Sequence, residues 1–170
     1  MPFSLIPDRL FHRYLDITPQ LLGQMDIRLL LCDLDYTLAP RSVARPDSAL
    51  RAWLDRCQKA GITVMILSNN RSSRRVETFC QELGIRYVGH AGKPNPRGYR
   101  EAMELAGEDA AHTAMLGDKL LTDVLGANRS GVLSLMVEPL GGPVGVWNHV
   151  LHALQSPFKW IARRRCRKTT

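Results

Sequence analysis

The apolar positions of this chain fall into short unbroken runs separated by stretches in which they recur every three or four residues. Leu29-Leu30-Leu31-Cys32 is the first run, and strands are predicted there, over Ile62 to Leu67, over the short Ile85-Arg86-Tyr87-Val88, which Arg86 interrupts, and over Thr113 to Leu116 and Val132 to Val137. Unbroken runs, rather than alternating ones, are what a parallel strand covered on both faces needs. Between them the period becomes helical. Arg45-Pro46-Asp47 opens a stretch with Leu50, Trp53, Leu54 and Cys57 on one side, closed by Gly61. Further helices are predicted from about Ser72 to Leu83, from about Pro96 to Ala106 and from about Leu121 to Arg129, the first and last stopped by Gly84 and Gly131. Strands alternating with helices predict an α/β domain, a parallel sheet with helices on both faces. Before Asp26, Thr18-Pro19 reads as the cap and first turn of a small lead-in helix. The chain thus divides into a lead-in segment, 1–25, a sheet domain, 26–140, and a C-terminal amphipathic and basic tail, 141–170, with Leu140-Gly141-Gly142-Pro143 as the hinge.

Length and composition fit one soluble domain with a proper core, since 170 residues with 45% hydrophobic and 23% charged side chains set disorder aside. Cysteines 32, 57, 80 and 166 have neither CxxC nor metal-ligand spacing and point to reduced thiols. No basic leader with an apolar stretch precedes residue 30, and no segment approaches the ~20 apolar residues that span a bilayer. The expected location is cytoplasmic, with peripheral attachment to the inner face of the membrane as a variant. Charge sharpens that variant. Of the net +7, six positive charges are Lys159, Arg163, Arg164, Arg165, Arg167 and Lys168, which leaves +1 for the rest. A basic end reports on anionic partners rather than on fold.

The runs end in polar clusters. Asp33 and Asp35 follow the first, two apart and therefore on one side of the strand's continuation, so they could serve one substrate as nucleophile and as acid/base. The second delivers Ser68-Asn69-Asn70, whose hydroxyl, amides and backbone N–H groups suit phosphate oxygens; an Asx-turn capping the next helix fits the two asparagines equally well. Lys93-Pro94 follows the third, a point charge on a fixed turn or simply a surface turn. The fourth ends in Gly117-Asp118-Lys119-Leu120-Leu121-Thr122-Asp123, where helix capping accounts for Thr122 and Asp123 as readily as chemistry does. Ligands in open α/β sheets bind outside the carboxyl ends of the strands. Asp33, Asp35 and Asp118 would there offer hard oxygen ligands suited to Mg²⁺, and a phosphoryl-transfer site is expected.

Asp33-Leu-Asp35-Tyr-Thr37, Ser68, Lys93-Pro94 and Gly117-Asp118 with Asp123 resemble, in order and spacing, the four motifs of the haloacid dehalogenase-like phosphatase superfamily, over roughly residues 26 to 138. More narrowly, IPDRLFHRYLDI, GDKLLTDVLGANRSG and the basic C-terminus resemble the YqeG family of subfamily IIIA, related to phosphatidylglycerophosphate phosphatases. The resemblance implies a Rossmann-like sheet and an aspartyl phosphate on Asp33, with Asp35 protonating the leaving oxygen and then deprotonating water. Ser68, Asn69, Lys93 and Thr37 would serve the phosphate. Mg²⁺ would be held by Asp33, the Asp35 carbonyl and Asp118, with Asp123 orienting Lys93 or a metal-bound water. Tyr36 departs from the pattern, in which Gly or Asn is commoner there.

Family members that select small substrates carry a cap domain, but here about 30 residues separate Asp35 from Ser68 and about 25 separate Ser68 from Lys93. Helix and strand use up both gaps. The expected enzyme is capless, and its open site suits a phospholipid head group or a phosphoprotein, or a homo-oligomer whose second subunit supplies the lid. Trp147, Val150, Leu151, Leu154, Phe158 and Ile161 form one apolar stripe before the basic end, as in an interfacial membrane segment, while a last core helix with a solvated end is compatible too. Nucleic-acid binding has no motif behind it beyond charge. The preferred expectation is a Mg²⁺-dependent phosphatidylglycerophosphate phosphatase. Its rivals are a soluble phosphatase for a phosphoprotein or small phosphomonoester, and a non-catalytic protein of this fold that binds RNA, ribosomes or membrane.

Overall fold

Leu29–Cys32 forms the central strand of a six-stranded, all-parallel sheet in the computed structural model, which describes residues 4–70 and 73–141. In chain order the elements are β1 (Arg9–Phe11), a 3-10 turn (Tyr14–Asp16), α1 (Pro19–Gln24), β2 (Leu29–Cys32), α2 (Ser48–Lys59), β3 (Thr63–Leu67), α3 (Ser73–Leu83) and β4 (Tyr87–Val88). They continue with α4 (Pro96–Ala106), β5 (Thr113–Gly117), a π-type turn (Leu120–Val124), α5 (Leu125–Ser130) and β6 (Leu133–Val137). The strands lie in the order β1-β6-β5-β2-β3-β4. From β2 the chain moves outward through β3 and β4, then crosses to β5 and β6 on the other side. The reversal between β2 and β5 opens a crevice at their carboxyl ends. Cys32 pairs with Ile66 on one side and Leu116 on the other, so the residues that follow these three strands arrive at one level.

The predicted α/β fold with helices on both faces is the one observed, and the alternation within β2 explains why its run had to be unbroken. Leu30 and Cys32 face a core with Ile17, Trp53, Ile66 and Phe79, whereas Leu29 and Leu31 face a second with Met65, Tyr99 and Met115. Trp53 is buried among α2 residues, donates from its indole N–H to the Ile17 carbonyl at 2.8 Å and meets the Tyr14 ring edge-on at 5.3 Å. Asp47 caps α2 by accepting from the Leu50 N–H at 2.8 Å, as the Arg45-Pro46-Asp47 opening implied. Cys32, Cys57 and Cys80 are buried and unpaired.

Two elements differ from the sequence reading. The lead-in contributes β1, which pairs with β6 and is tied down by Asp8, whose carboxylate accepts from the Ser134 N–H at 2.8 Å and hydroxyl at 2.7 Å. Residues 120–124, expected to begin a helix, form a wider π-type turn before α5. The described residues of the gaps on either side of Ser68 hold only a loop, a helix and a strand each, and among the described residues there is no cap domain. The amphipathic and basic tail, from residue 142 onward, lies outside the described residues. Among the described residues no helix is long and apolar enough to cross a membrane.

Candidate active site

The crevice holds a pocket of about 350 Å³ lined by residues from all four strand ends, among them Asp33, Asp35, Arg41, Ser68, Lys93 and Lys119. Asp33 leaves β2 with its N–H still donating to the Leu116 carbonyl at 2.8 Å, so the sheet itself fixes this residue. Its carboxylate accepts from the Lys93 ammonium at 2.8 Å. That ammonium is nearly inaccessible and also pairs with Asp123 at 2.7 Å. The Asp123 carboxylate accepts from the Lys119 N–H at 3.1 Å, and the Asp123 carbonyl accepts from the Tyr99 hydroxyl of α4 at 3.1 Å. The wide turn after β5 is what brings Asp123 back over the strand end. Gly117 permits it, because a Cβ there would collide with the Asp123 carboxyl group.

Asp35 is separated from this cluster by its partners. Its carboxylate pairs with the Arg75 guanidinium of α3 at 3.2 Å and accepts from the Asn70 amide at 3.1 Å. Tyr36 follows in the left-handed region at φ 69°, a conformation that Gly or Asn adopts more readily. Its ring lies 5.8 Å from the Lys119 ammonium.

Charges in the cluster are mutually dependent. Burial opposes ionisation of Asp33, but the ammonium groups of Lys93 and Lys119 outweigh it and hold the carboxyl below its usual range. Burial likewise opposes the charge on Lys93, and Asp123 and Asp33 more than restore it. Asp118 goes the other way: burial, with the Asp123 and Asp33 carboxylates, pushes it up to about 6 against the pull of Lys119. Lys119 bridges Asp118 at 2.9 Å and Asp33 at 3.5 Å.

The expected residues Asp33, Ser68, Lys93, Asp118 and Asp123 are thus brought together, with Asp35 lining the same pocket. Two expected at the phosphate are engaged elsewhere. The Asn69 amide spans the Lys93 main chain, donating to its carbonyl and accepting from its N–H, both at 2.8 Å, so it holds the Lys93 loop. The Thr37 hydroxyl, fully buried, donates to Asp118 at 3.2 Å. The Asp35 carboxylate is not among the three that cluster, its partners being Arg75 and Asn70. Arg75 and the bridging position of Lys119 were not singled out by the sequence reading. Both lie inside segments it did mark, one at the start of α3 and one in the Gly117 to Asp123 stretch, but neither motif spacing nor apolar period distinguishes them.

Residues 18–131 match the haloacid dehalogenase-like hydrolase family. The chain belongs to that family. It is 36% identical over 143 residues to the probable phosphatase YqeG of Bacillus subtilis, covering 82% of this chain and 81% of that one. It is 30% identical over 145 residues to the chloroplastic phosphatidylglycerophosphate phosphatase 1 of Chlamydomonas reinhardtii, covering 79% of this chain and 52% of that protein, about half its length. Among solved structures, the 3-deoxy-D-manno-octulosonate 8-phosphate phosphatase of Moraxella catarrhalis, in complex with magnesium and phosphate, superimposes with a TM-score of 0.50 at 16% identity. That match covers 79% of this chain and 90% of the other, and it bears on the fold.

This haloacid dehalogenase-like hydrolase is a phosphatase by its relatives, and its carboxylates fit a divalent cation. One oxygen from each of Asp33, Asp118 and Asp123 lies within 4.8 Å of the others, all three residues being buried. Such hard, anionic donors suit a small divalent ion that keeps some water. The Lys119 ammonium already sits between two of them, so positive charge is required at this place.

Proposed function

We propose that this protein is a Mg²⁺-dependent phosphomonoesterase that works through an aspartyl phosphate on Asp33, and that phosphatidylglycerophosphate is its substrate. The observation that carries the catalytic reading is the buried Asp33 carboxylate, kept ionised by two ammonium groups and lining a pocket that Asp35 lines as well. An ionised carboxylate is a nucleophile toward phosphorus. Asp33 attacks, the bond from phosphorus to the leaving oxygen breaks, and Asp35 gives that oxygen a proton. Asp35 then takes a proton from water, which attacks phosphorus and releases inorganic phosphate and free Asp33. Lys93, positioned by Asp123 and by Asn69, stabilises the transferring phosphoryl group. Ser68 accepts from the Asn70 N–H at 3.1 Å, which leaves its own O–H to donate to a phosphoryl oxygen. A divalent ion held by Asp33, the Asp35 carbonyl and Asp118, with Asp123 alongside, would supply positive charge against the phosphoryl oxygens.

The lipid substrate is supported by the absence, among the described residues, of a cap over the pocket, by the name of the algal relative and by the basic tail, which suits an anionic surface. The enzyme would then work peripherally at the inner face of the membrane. Purified protein with Mg²⁺ should release phosphate from phosphatidylglycerophosphate in mixed micelles with a higher kcat/KM than from p-nitrophenyl phosphate or a phosphoserine peptide. A preference for either soluble substrate would remove the lipid from this reading and leave the phosphatase.

A further inference from the structure

Four carboxylates crowd the pocket and its floor: Asp33, Asp35, Asp118 and Asp123. Three cations answer them, Lys93 and Lys119 within the cluster and Arg75 on Asp35. Arg41 is a further cation, lining the pocket with Lys93 and Lys119 at its exposed mouth, and among the described residues its guanidinium has no carboxylate or hydrogen-bond partner. Its neighbour along the same loop is spoken for, since Arg45 pairs with Glu82 at 3.3 Å. Arg41 therefore brings positive charge to the pocket that no described residue neutralises.

Its backbone is nevertheless held. The Arg75 guanidinium, mostly buried and lying 5.1 Å from the Phe79 ring, donates to the carbonyl of Pro40 at 2.9 Å and to that of Arg41 at 3.3 Å while it pairs with Asp35. One group thus fixes the Arg41 loop relative to the carboxyl that serves the leaving oxygen. The leaving oxygen is where the remainder of the substrate is attached, so Arg41 stands on the side of the leaving group rather than of the transferring phosphoryl.

We propose that Arg41 is a specificity-determining residue: it takes a second anionic group, carried by the leaving group of a phosphomonoester a short linker away from the scissile phosphate. A guanidinium is suited to that task, being permanently charged and able to bind phosphate or carboxylate through two N–H groups. The inference rests on the reading of this pocket as the phosphate site, and it would make a substrate with a phosphodiester or carboxylate in its leaving group preferred over a simple alkyl phosphate.

The test is calorimetric binding to the full-length Asp33→Asn protein with Mg²⁺, which cannot turn substrate over. Three ligands are compared: glycerol 3-phosphate, 3-phosphoglycerate, which adds a carboxylate, and glycerophosphoglycerol phosphate, which adds a diester phosphate. Adding Arg41→Gln should raise Kd about tenfold for a ligand with a second anion and leave glycerol 3-phosphate nearly unaffected, Arg41→Lys lying between. The added discrimination should weaken as salt is raised, because the mouth is exposed. An equal effect on all three ligands, or none, overturns the proposal. If only 3-phosphoglycerate depends on Arg41, the subsite stands and the lipid substrate does not. Arg41-dependent binding of the diester ligand without hydrolysis of the lipid by the wild-type enzyme also leaves the subsite standing and removes the substrate. If no ligand binds, the pocket is not a phosphate site and both readings fall.

Discussion

Asp35 draws its setting from Arg75 and Asn70, partners that come from beyond the next strand. Replacing Arg75 by Met should leave the fold in place and lower kcat about tenfold or more, because a misplaced acid forfeits part of general acid catalysis. The loss should be larger for alkyl phosphates than for p-nitrophenyl phosphate, whose leaving oxygen needs little protonation. A uniform loss across leaving groups would make Arg75 merely structural. Asp118 supports a second expectation. Its folded pKa of about 6 lies above the usual 3.8, so the ionised form costs stability, and the cation-free protein loses stability as pH rises through that interval. A bound divalent ion needs the carboxylate ionised and reverses the effect. Mg²⁺ should therefore raise Tm over the chelated protein most above pH 6 and progressively less below it. A shift independent of pH would contradict Asp118 as a ligand. Asp33, Asp35, Ser68, Lys93 and Asp118 were legible because each follows an apolar run or sits in a short motif. Arg75 was not, since pairing across the crevice depends on how α3 packs, and neither was the turning of Asn69 onto the Lys93 main chain.

At the scale of elements, short apolar stretches, the one at β4 interrupted by Arg86, identified all of the described strands except β1. That strand has three residues, none fully buried, and lies at a sheet edge, so little apolar signal marks it. Its place is set by the contacts of Asp8 with Ser134, which no local pattern can announce. The π-type turn after β5 was hidden for a related reason: residues 120–124 carry a helix-like spacing, and the demand for Asp123 to reach Lys93 selects the wider turn. Gly117→Ala probes that element directly. A methyl group pressed against the Asp123 carboxyl should cost about 1–3 kcal/mol in denaturant unfolding. Activity should fall further than the stability loss accounts for, because Lys93 loses its fixed position. Full activity at unchanged stability would show that Asp123 need not sit over this strand end.

Among the described residues the molecule is a sheet domain without a cap, and the sequence continues beyond them into a basic end. If that end holds the enzyme at an anionic bilayer, binding to vesicles should require anionic lipid and weaken with salt. Changing Arg163, Arg164, Arg165, Arg167 and Lys168 to Gln should reduce vesicle binding and turnover of the lipid phosphate much more than hydrolysis of p-nitrophenyl phosphate. Equal loss on both substrates would give the tail a structural role instead. The central claim concerns Asp33 and is tested on the intact protein. Wild type, Asp33→Asn and Asp35→Asn are incubated with Mg²⁺ and a phosphomonoester, quenched in acid and examined by peptide mass spectrometry alongside phosphate release. The account predicts a phosphorylated Asp33 peptide in the proteins that retain Asp33, and neither that peptide nor turnover in Asp33→Asn. Sustained phosphate release by folded Asp33→Asn would contradict it.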